Sequence, residues 1–414
     1  MLQKCTDAVE QKVDSFSVDI RESMRVFPEF IQPFLTWLTA KPYQCQKSWQ
    51  RTPIYHLLRA LIDLCLGISL SVIAVKNLRY QEVTNILNIL WLFLLTIGWI
   101  FTVSGGRQFQ VVISHHCSHN SFSIHKKVNK WLGEIISIIL ILKNFTVYQP
   151  DHVSNHHAKA LMTLKDETLK FLFLLVGFRT GMTKKQLWNK LIFSLFSPWF
   201  HFRFLAARIK SCFFSPFWVH NTLTWSFWLI IITVVTITKS WTIFLVTWFF
   251  PLTILYQVSN TIRICSEHCF PEPEFAEVRN KLILGRLTKG IFLGEQTPDI
   301  SLSFLPKLWQ WLRWYLLMFY HLFCRIFILV GDTPCHDWHH RHPASPDWVN
   351  YIFARQQDLE NGCPGWQENY TEIWGFYQAI DFNLESLSRL PKIEEINTNN
   401  AISSVYSLGT IESN

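Results

Sequence analysis

Charge is scarce in this sequence. Of its 414 residues only 16% are Asp, Glu, Lys or Arg, against about a quarter in an ordinary soluble domain. Glycine (15) and proline (17) are also few for this length. Disorder, collagen-like repeats and turn-rich β-sandwiches are excluded on that ground. The ten cysteines form no C-x-x-C pair, so neither a zinc ribbon nor a thioredoxin-like site is signalled. Cys65, Cys212 and Cys324 lie in apolar stretches and read as buried reduced thiols. The first thirty residues hold no continuous apolar run. A cleaved signal peptide is therefore not expected, and the N-terminus is read as cytosolic.

Apolar residues, by contrast, make up 49% of the chain, with 34 Phe and 19 Trp. Four stretches are long enough to cross a bilayer core, which takes about 20 residues. They are about 54–75, 86–106, 218–238 and 241–258. Short connections group them as two hairpins. Two crossings return the chain to its starting side before residue 107, and two more before residue 261. Residues 107–216 carry 15 Lys and Arg against 4 Asp and Glu, a surplus of 11 that exceeds the net +8 of the whole chain. That asymmetry marks a cytosolic stretch beside a membrane and removes any need for a nucleic-acid partner.

The expected fold class is thus an all-α membrane protein, four transmembrane helices under a cytosolic helical cap. Its parts would be an N-terminal segment 1–53, a membrane domain 54–390 with its cap drawn from 107–216 and 261–390, and a polar, disordered tail 391–414. Shorter apolar runs, Trp131–Leu142, Leu169–Phe178 and Tyr315–Val330, read as interfacial or cap helices. Arg59 and Asp63 are four apart and can pair on one helical face, an arginine snorkelling from the membrane edge.

The chemistry is carried by sixteen histidines, most of them clustered. SHHCSHNSF sets His115 and His119 in H-x-x-x-H just past the second span. PDHVSNHHAK contains His152, His156 and His157, and GDTPCHDWHHRHP contains His336, His339 and His340. A ninth, His268 in ICSEHCF, follows the fourth span by ten residues. On a helix, residues at i, i+3 and i+4 share a face, so each cluster aims imidazoles at a common point. Adjacent histidines diverge by about 100° and can serve two neighbouring metals. Nine imidazoles are too many for one ion and suit two. His56, His125, His201, His220, His321 and His342 read as interfacial or supporting residues instead.

Imidazole alone does not choose among Zn, Cu, Fe and Ni. A structural zinc needs only four ligands, and no H-E-x-x-H motif or E-x-x-H pair is present. What remains is an all-histidine two-metal centre at the boundary of membrane and cytosol. Asp151, Glu267 and Asp337 adjoin ligand candidates and are expected either to orient ligand N–H groups or to be solvated helix-end charges. A divalent-metal transporter is the rival of another class. It would place its ligands near the bilayer midplane, whereas these clusters lie outside the spans.

At this point the chain resembles the membrane fatty acid desaturase/hydroxylase superfamily. HHCSH, HVSNHH and HDWHH resemble its three histidine boxes, and SEH at 266–268 resembles the extra ligand that several members carry after the fourth span. The resemblance covers roughly residues 50–380. It implies two non-haem irons that activate O₂, and an acyl chain lying in an apolar tunnel below them. The carrier could be coenzyme A, acyl-carrier protein or an intact lipid. Ile264 stands where the stearoyl-CoA branch has an Asn, which separates the chain from that branch. No H-P-G-G haem motif occurs, so electrons are expected from a separate ferredoxin or cytochrome b5-type protein. Members desaturate, hydroxylate or otherwise oxidise with similar boxes. Desaturation is favoured here, with hydroxylation of an acyl lipid, alkane or carotenoid as the alternative. The active site and both termini would face the cytosol, from a bacterial inner membrane or the endoplasmic reticulum.

Overall fold

The computed structural model describes residues 19–80, 86–163, 165–272, 279–299, 301 and 303–390. The expected disordered tail 391–414 therefore lies outside the described residues, as do residues 1–18 of the N-terminal segment. The described chain is helical almost throughout, and its one sheet joins two three-residue strands, β1 (Gly290–Phe292) and β2 (Glu372–Trp374), in parallel.

Four helices are long and apolar enough to cross a membrane: Pro53–Leu78, Ile86–Ser118, Trp218–Ile237 and Trp241–Glu267. We number them α1 to α4. The first two pack antiparallel through small residues. A Cβ on Gly67 would come within 2.2 Å of Thr102 N, one on Gly98 within 2.3 Å of Ser71 Oγ, and one on Gly105 within 2.5 Å of Leu64 N. Apolar side chains gain little by leaving lipid for one another, so such close backbone approach is what holds membrane helices together. Asp63, buried at this seam, accepts from Arg59 (3.0 Å), Ser104 (3.0 Å) and Gln108 (2.6 Å). The Arg59–Asp63 pair thus forms, with its carboxylate turned into the α1–α2 interface. Cys212 and Cys324 are buried, but Cys65 is exposed on the outer face of α1, because a lipid-facing helix surface is as apolar as a core.

Hydropathy places the starts of α2 and α4 well and their ends too early, because the helices continue where the apolar run stops. A bilayer core takes about 20 residues, or 30 Å at 1.5 Å each. At 33 and 27 residues, α2 and α4 overshoot it and rise as posts into the cap. Their upper ends carry His115 and, one residue past the last turn, His268. Both posts contain wide-turn (π) segments, Phe109–Ser114 in α2 and Leu245–Phe249 and Pro251–Leu255 in α4. Pro251 has no N–H to give to the preceding turn, which accounts for the slip of register at the last of these.

The cap is assembled from several short helices and one long one. Three apolar runs seen in the sequence lie in helix Lys126–Ile139, in helix Glu167–Phe171 with the wide turn Leu172–Val176 after it, and in helix Phe304–Phe327. The last begins eleven residues before the apolar run suggested, and Phe304, Leu305, Trp309, Leu316 and Phe319 are exposed along it. A broad apolar stripe on a helix with basic residues is the composition of an element lying in a bilayer interface. Gly331 (φ +58°) then turns the chain sharply toward the third histidine cluster.

Candidate metal centre

The nine histidines named from sequence come together above the posts in two groups. His115, His119, His152, His157 and His339 form one, and His156, His268, His336 and His340 the other. Within each group the nitrogen atoms all lie within 4.8 Å of one another, and the members are all histidine. In the first, His115 Nε2 is 2.5 Å from His339 Nε2, His152 Nε2 is 3.0 Å from His157 Nε2, and His157 Nε2 is 3.2 Å from His339 Nε2. In the second, His336 Nε2 is 3.1 Å from His340 Nε2. The groups share a wall: the rings of His157 and His340 stack at 4.2 Å.

Local geometry explains the partition. His336–Arg341 is α-helical, so His336 and His340, four apart, point one way and His339 the other. An α-helix through the second cluster would pair His152 with His156, but the winding there is different. Asp151–Lys159 is a wide-turn helix that begins directly after Pro150, and in that winding the residue above His152 is His157. His156 is thereby sent to the second group.

The donor set fits cations. Metal–nitrogen bonds of about 2.1 Å leave neighbouring donors roughly 3 to 3.4 Å apart, which is the spacing of most of these contacts. Buried nitrogens are otherwise paired, yet His119 Nε2, His157 Nδ1, His339 Nδ1 and both ring nitrogens of His268 have no hydrogen-bond partner. His268 is only 2% exposed. Burial, reinforced by the surrounding histidines, pushes His152, His157, His268, His336, His339 and His340 well below the ordinary imidazole range. The same causes take His119 down to about 3. Neutral imidazole is the ligating form.

The carboxylates expected either to orient ligands or to stand as solvated helix-end charges are instead paired with basic side chains. Asp151 pairs with Lys143 (2.6 Å), Glu267 with Arg263, and Asp337 with Arg355 (2.8 Å). The acids that do hold histidine rings at the centre are two others, one on the ligand candidate His156 and one on His116, next to the ligand candidate His115. Asp166, ten residues past His156, accepts from its Nδ1 (3.2 Å) and from the N–H groups of Met162 and Thr168. Burial works to raise the Asp166 carboxyl, but His156 and those donors hold it below its usual range. Asp332, four residues before His336, accepts from Nε2 of His116 (2.8 Å), whose ring stacks on Trp348. With His339 these two form a third potential ligand set. The available sequence signal was an acid ten residues after His156 and another four residues before His336. Of the remaining histidines, His56, His201, His220, His321 and His342 bond Val349 O, Gln257, Glu134, Glu295 and Asp358. Those are supporting contacts.

A cavity of about 330 Å³ opens beside the first group. Its wall reaches the centre through Ser114, next to His115, and Tyr148, whose ring stacks on His152 at 5.0 Å. Leu142, Val147, Phe171, Leu174 and Phe204 line it, with Lys143, Lys170 and Lys210 also on the wall.

Membrane-crossing posts and a cap that gather nine imidazoles into two groups define a membrane-embedded metalloprotein. Its family is also shown: a family model described as fatty acid desaturase matches residues 89–321, more than half the chain, and the protein belongs to that family. It is accordingly an integral membrane oxidoreductase of acyl lipids, of desaturase or hydroxylase type, with a histidine-built metal site. The matched region holds the first two boxes and His268; the third box lies beyond it. No curated protein and no solved structure matches the chain.

Proposed function

We propose that the protein is a di-iron acyl desaturase, removing two hydrogens from adjacent carbons of a fatty acyl chain with O₂ and two electrons from a separate donor protein. The observation that carries this reading is the division of nine imidazoles, seven buried and two half-buried, into a group of five and a group of four. His115, His119, His152, His157 and His339 would hold one iron, and His156, His268, His336 and His340 the other. Such a pair supplies reduction of O₂ and removal of hydrogen from an unactivated C–H bond.

The chain's own residues bind, orient and exclude water. Asp166 fixes the ring of His156 so that its Nε2 faces the second group. The cavity beside Tyr148 would receive the acyl chain, and the position of that chain against the metals decides between an alkene and an alcohol. Lys170 and Lys210 suit an anionic carrier. The basic surplus of residues 107–216 supports a cytosolic centre and cytosolic termini.

The test supplies iron-loaded protein with O₂, reduced ferredoxin and acyl-coenzyme A, acyl-carrier protein or phospholipid substrates, and identifies products by mass. A product two mass units lighter is expected. An alcohol as sole product would favour a hydroxylase, and absence of O₂ consumption would overturn both.

A further inference from the structure

An unbroken series of aromatic rings runs from the first histidine group to the surface beside α1. His339 and His116 have ring centroids 5.3 Å apart, His116 stacks on Trp348 at 4.0 Å and 13°, Trp348 lies 5.0 Å from His56, and His56 lies 5.3 Å from Tyr55. The inner members are buried: His339 and Trp348 are 1% exposed, His116 is 0% and His56 7%, whereas Tyr55 is 41% exposed. Each intermediate ring is also tethered. His116 donates to Asp332 (2.8 Å), Trp348 Nε1 to Ser121 O (3.1 Å), and His56 Nε2 bonds Val349 O (2.9 Å). A ligand ring needs one such orienting partner; three successive tethered rings leading outward to a fourth serve no packing need that aliphatic side chains could not meet.

We propose that this series carries electrons into the metal pair, and that a small acidic one-electron carrier protein docks where it surfaces. The surface chemistry fits such a partner. Residues 42–58 contain Lys47 and Arg51 and neither Asp nor Glu. Arg51 lies over the rings of both Tyr55 (4.8 Å) and Trp49 (4.3 Å), which places a cation directly at the outermost ring. Opposite charges at a rim steer encounter and orient the partner. In each passage the reduced carrier loses one electron and the metal pair gains one, with no bond made or broken; two passages match the two electrons that removal of two hydrogens by O₂ requires. The proposal rests on the di-iron reading above.

The test uses the full iron-loaded chain in lipid nanodiscs, mixed with reduced [2Fe–2S] ferredoxin, whose oxidation is followed by absorbance in a stopped-flow instrument. Tyr55→Leu and Trp348→Leu are expected to slow ferredoxin oxidation, and Trp348→Phe, which keeps a ring, to slow it less. Iron content and reduction by dithionite with methyl viologen, which needs no docking site, are expected to stay at the wild-type level in Tyr55→Leu. Arg51→Glu is expected to weaken binding of oxidised ferredoxin to the metal-free protein about tenfold at low salt. Wild-type rates in both leucine variants would overturn the route. Unchanged ferredoxin affinity in Arg51→Glu would overturn the docking site. If Trp348→Leu loses iron, Tyr55→Leu, at an exposed position, decides. Failure of dithionite-reduced wild-type protein to oxidise any acyl substrate would instead overturn the di-iron reading itself.

Discussion

The second and third histidine boxes differ by one residue, and the fold cancels the difference. In His336–Arg341 the first and last histidines are four apart on an α-helix and share a group, while the penultimate one faces away. In Asp151–Lys159 the first and last are five apart on a wide-turn helix and again share a group, with the penultimate one again facing away. The extra residue has been absorbed by winding, and the two boxes deliver the same pattern of one pair and one single. Spacing in sequence therefore identifies ligands only together with the helix type that carries them.

The surroundings of the two boxes differ more than their ligands. Asp337 lies inside the third box and is clamped by Arg355 at 3.0 and 2.8 Å; Arg355 also holds Glu372, which bonds Lys41. The pair Asp337–Arg355 is almost fully buried. The ion pairs of the second box, Lys143 with Asp151 and Glu167, are partly exposed.

The comparison can be broken first at the ligands. His339→Ala and His268→Ala, one from each group, should each abolish turnover. On the di-iron proposal, elemental analysis of the purified variants should find one of two irons lost in either case; full activity in either variant would end the two-group account. Next in size is the clamp. Arg355→Leu leaves Asp337 buried without its partner, a loss of about 3 to 5 kcal/mol, read as a lowered thermal midpoint. Lys143→Ala, at the other box, should cost about 0 to 1 kcal/mol, and equal losses would erase the contrast.

A third effect follows from the depressed imidazoles. Their folded values lie below the 6.5 of an unperturbed histidine, so the unfolded chain binds protons first as pH falls. Their contribution to stability is complete above pH 6.5 and lost progressively below it. Metal-free protein should melt at a lower temperature at pH 5.5 than at pH 7.5, while an unchanged midpoint would mean that these rings are protonated in the fold. The smallest expected effect sharpens the comparison most. Deleting Ser154 makes the second box H-x-x-H-H like the third, so an α-helix can again pair His152 with His157, and iron content should survive. Loss of both ions would show that the wide turn positions more than the histidines.

Much of the site was legible because histidines are rare, and nine of them fall into register on one side of the spans. The spans were legible because a bilayer demands about twenty apolar residues wherever it is crossed. The pairing within the second box is not legible in its spacing, because the winding widens directly after Pro150, a local effect that spacing rules for ideal helices do not contain. Asp151, Glu267 and Asp337 were plausible partners by sequence proximity. Whether a carboxylate meets an imidazole or a guanidinium depends on which element packs across from it.

By itself, then, the sequence determined the solvent this protein lives in, the number of its crossings and the nitrogen ligands it offers, because each depends on composition or on runs within a single segment. The tertiary structure alone decided how nine imidazoles divide into five and four, that Asp166 and Asp332 rather than nearer acids hold histidine rings, and that His116 and Trp348 join the centre to the surface. Those outcomes depend on contacts between residues up to 292 positions apart in the chain, and such distances close only when the posts, the cap and the two short strands have packed.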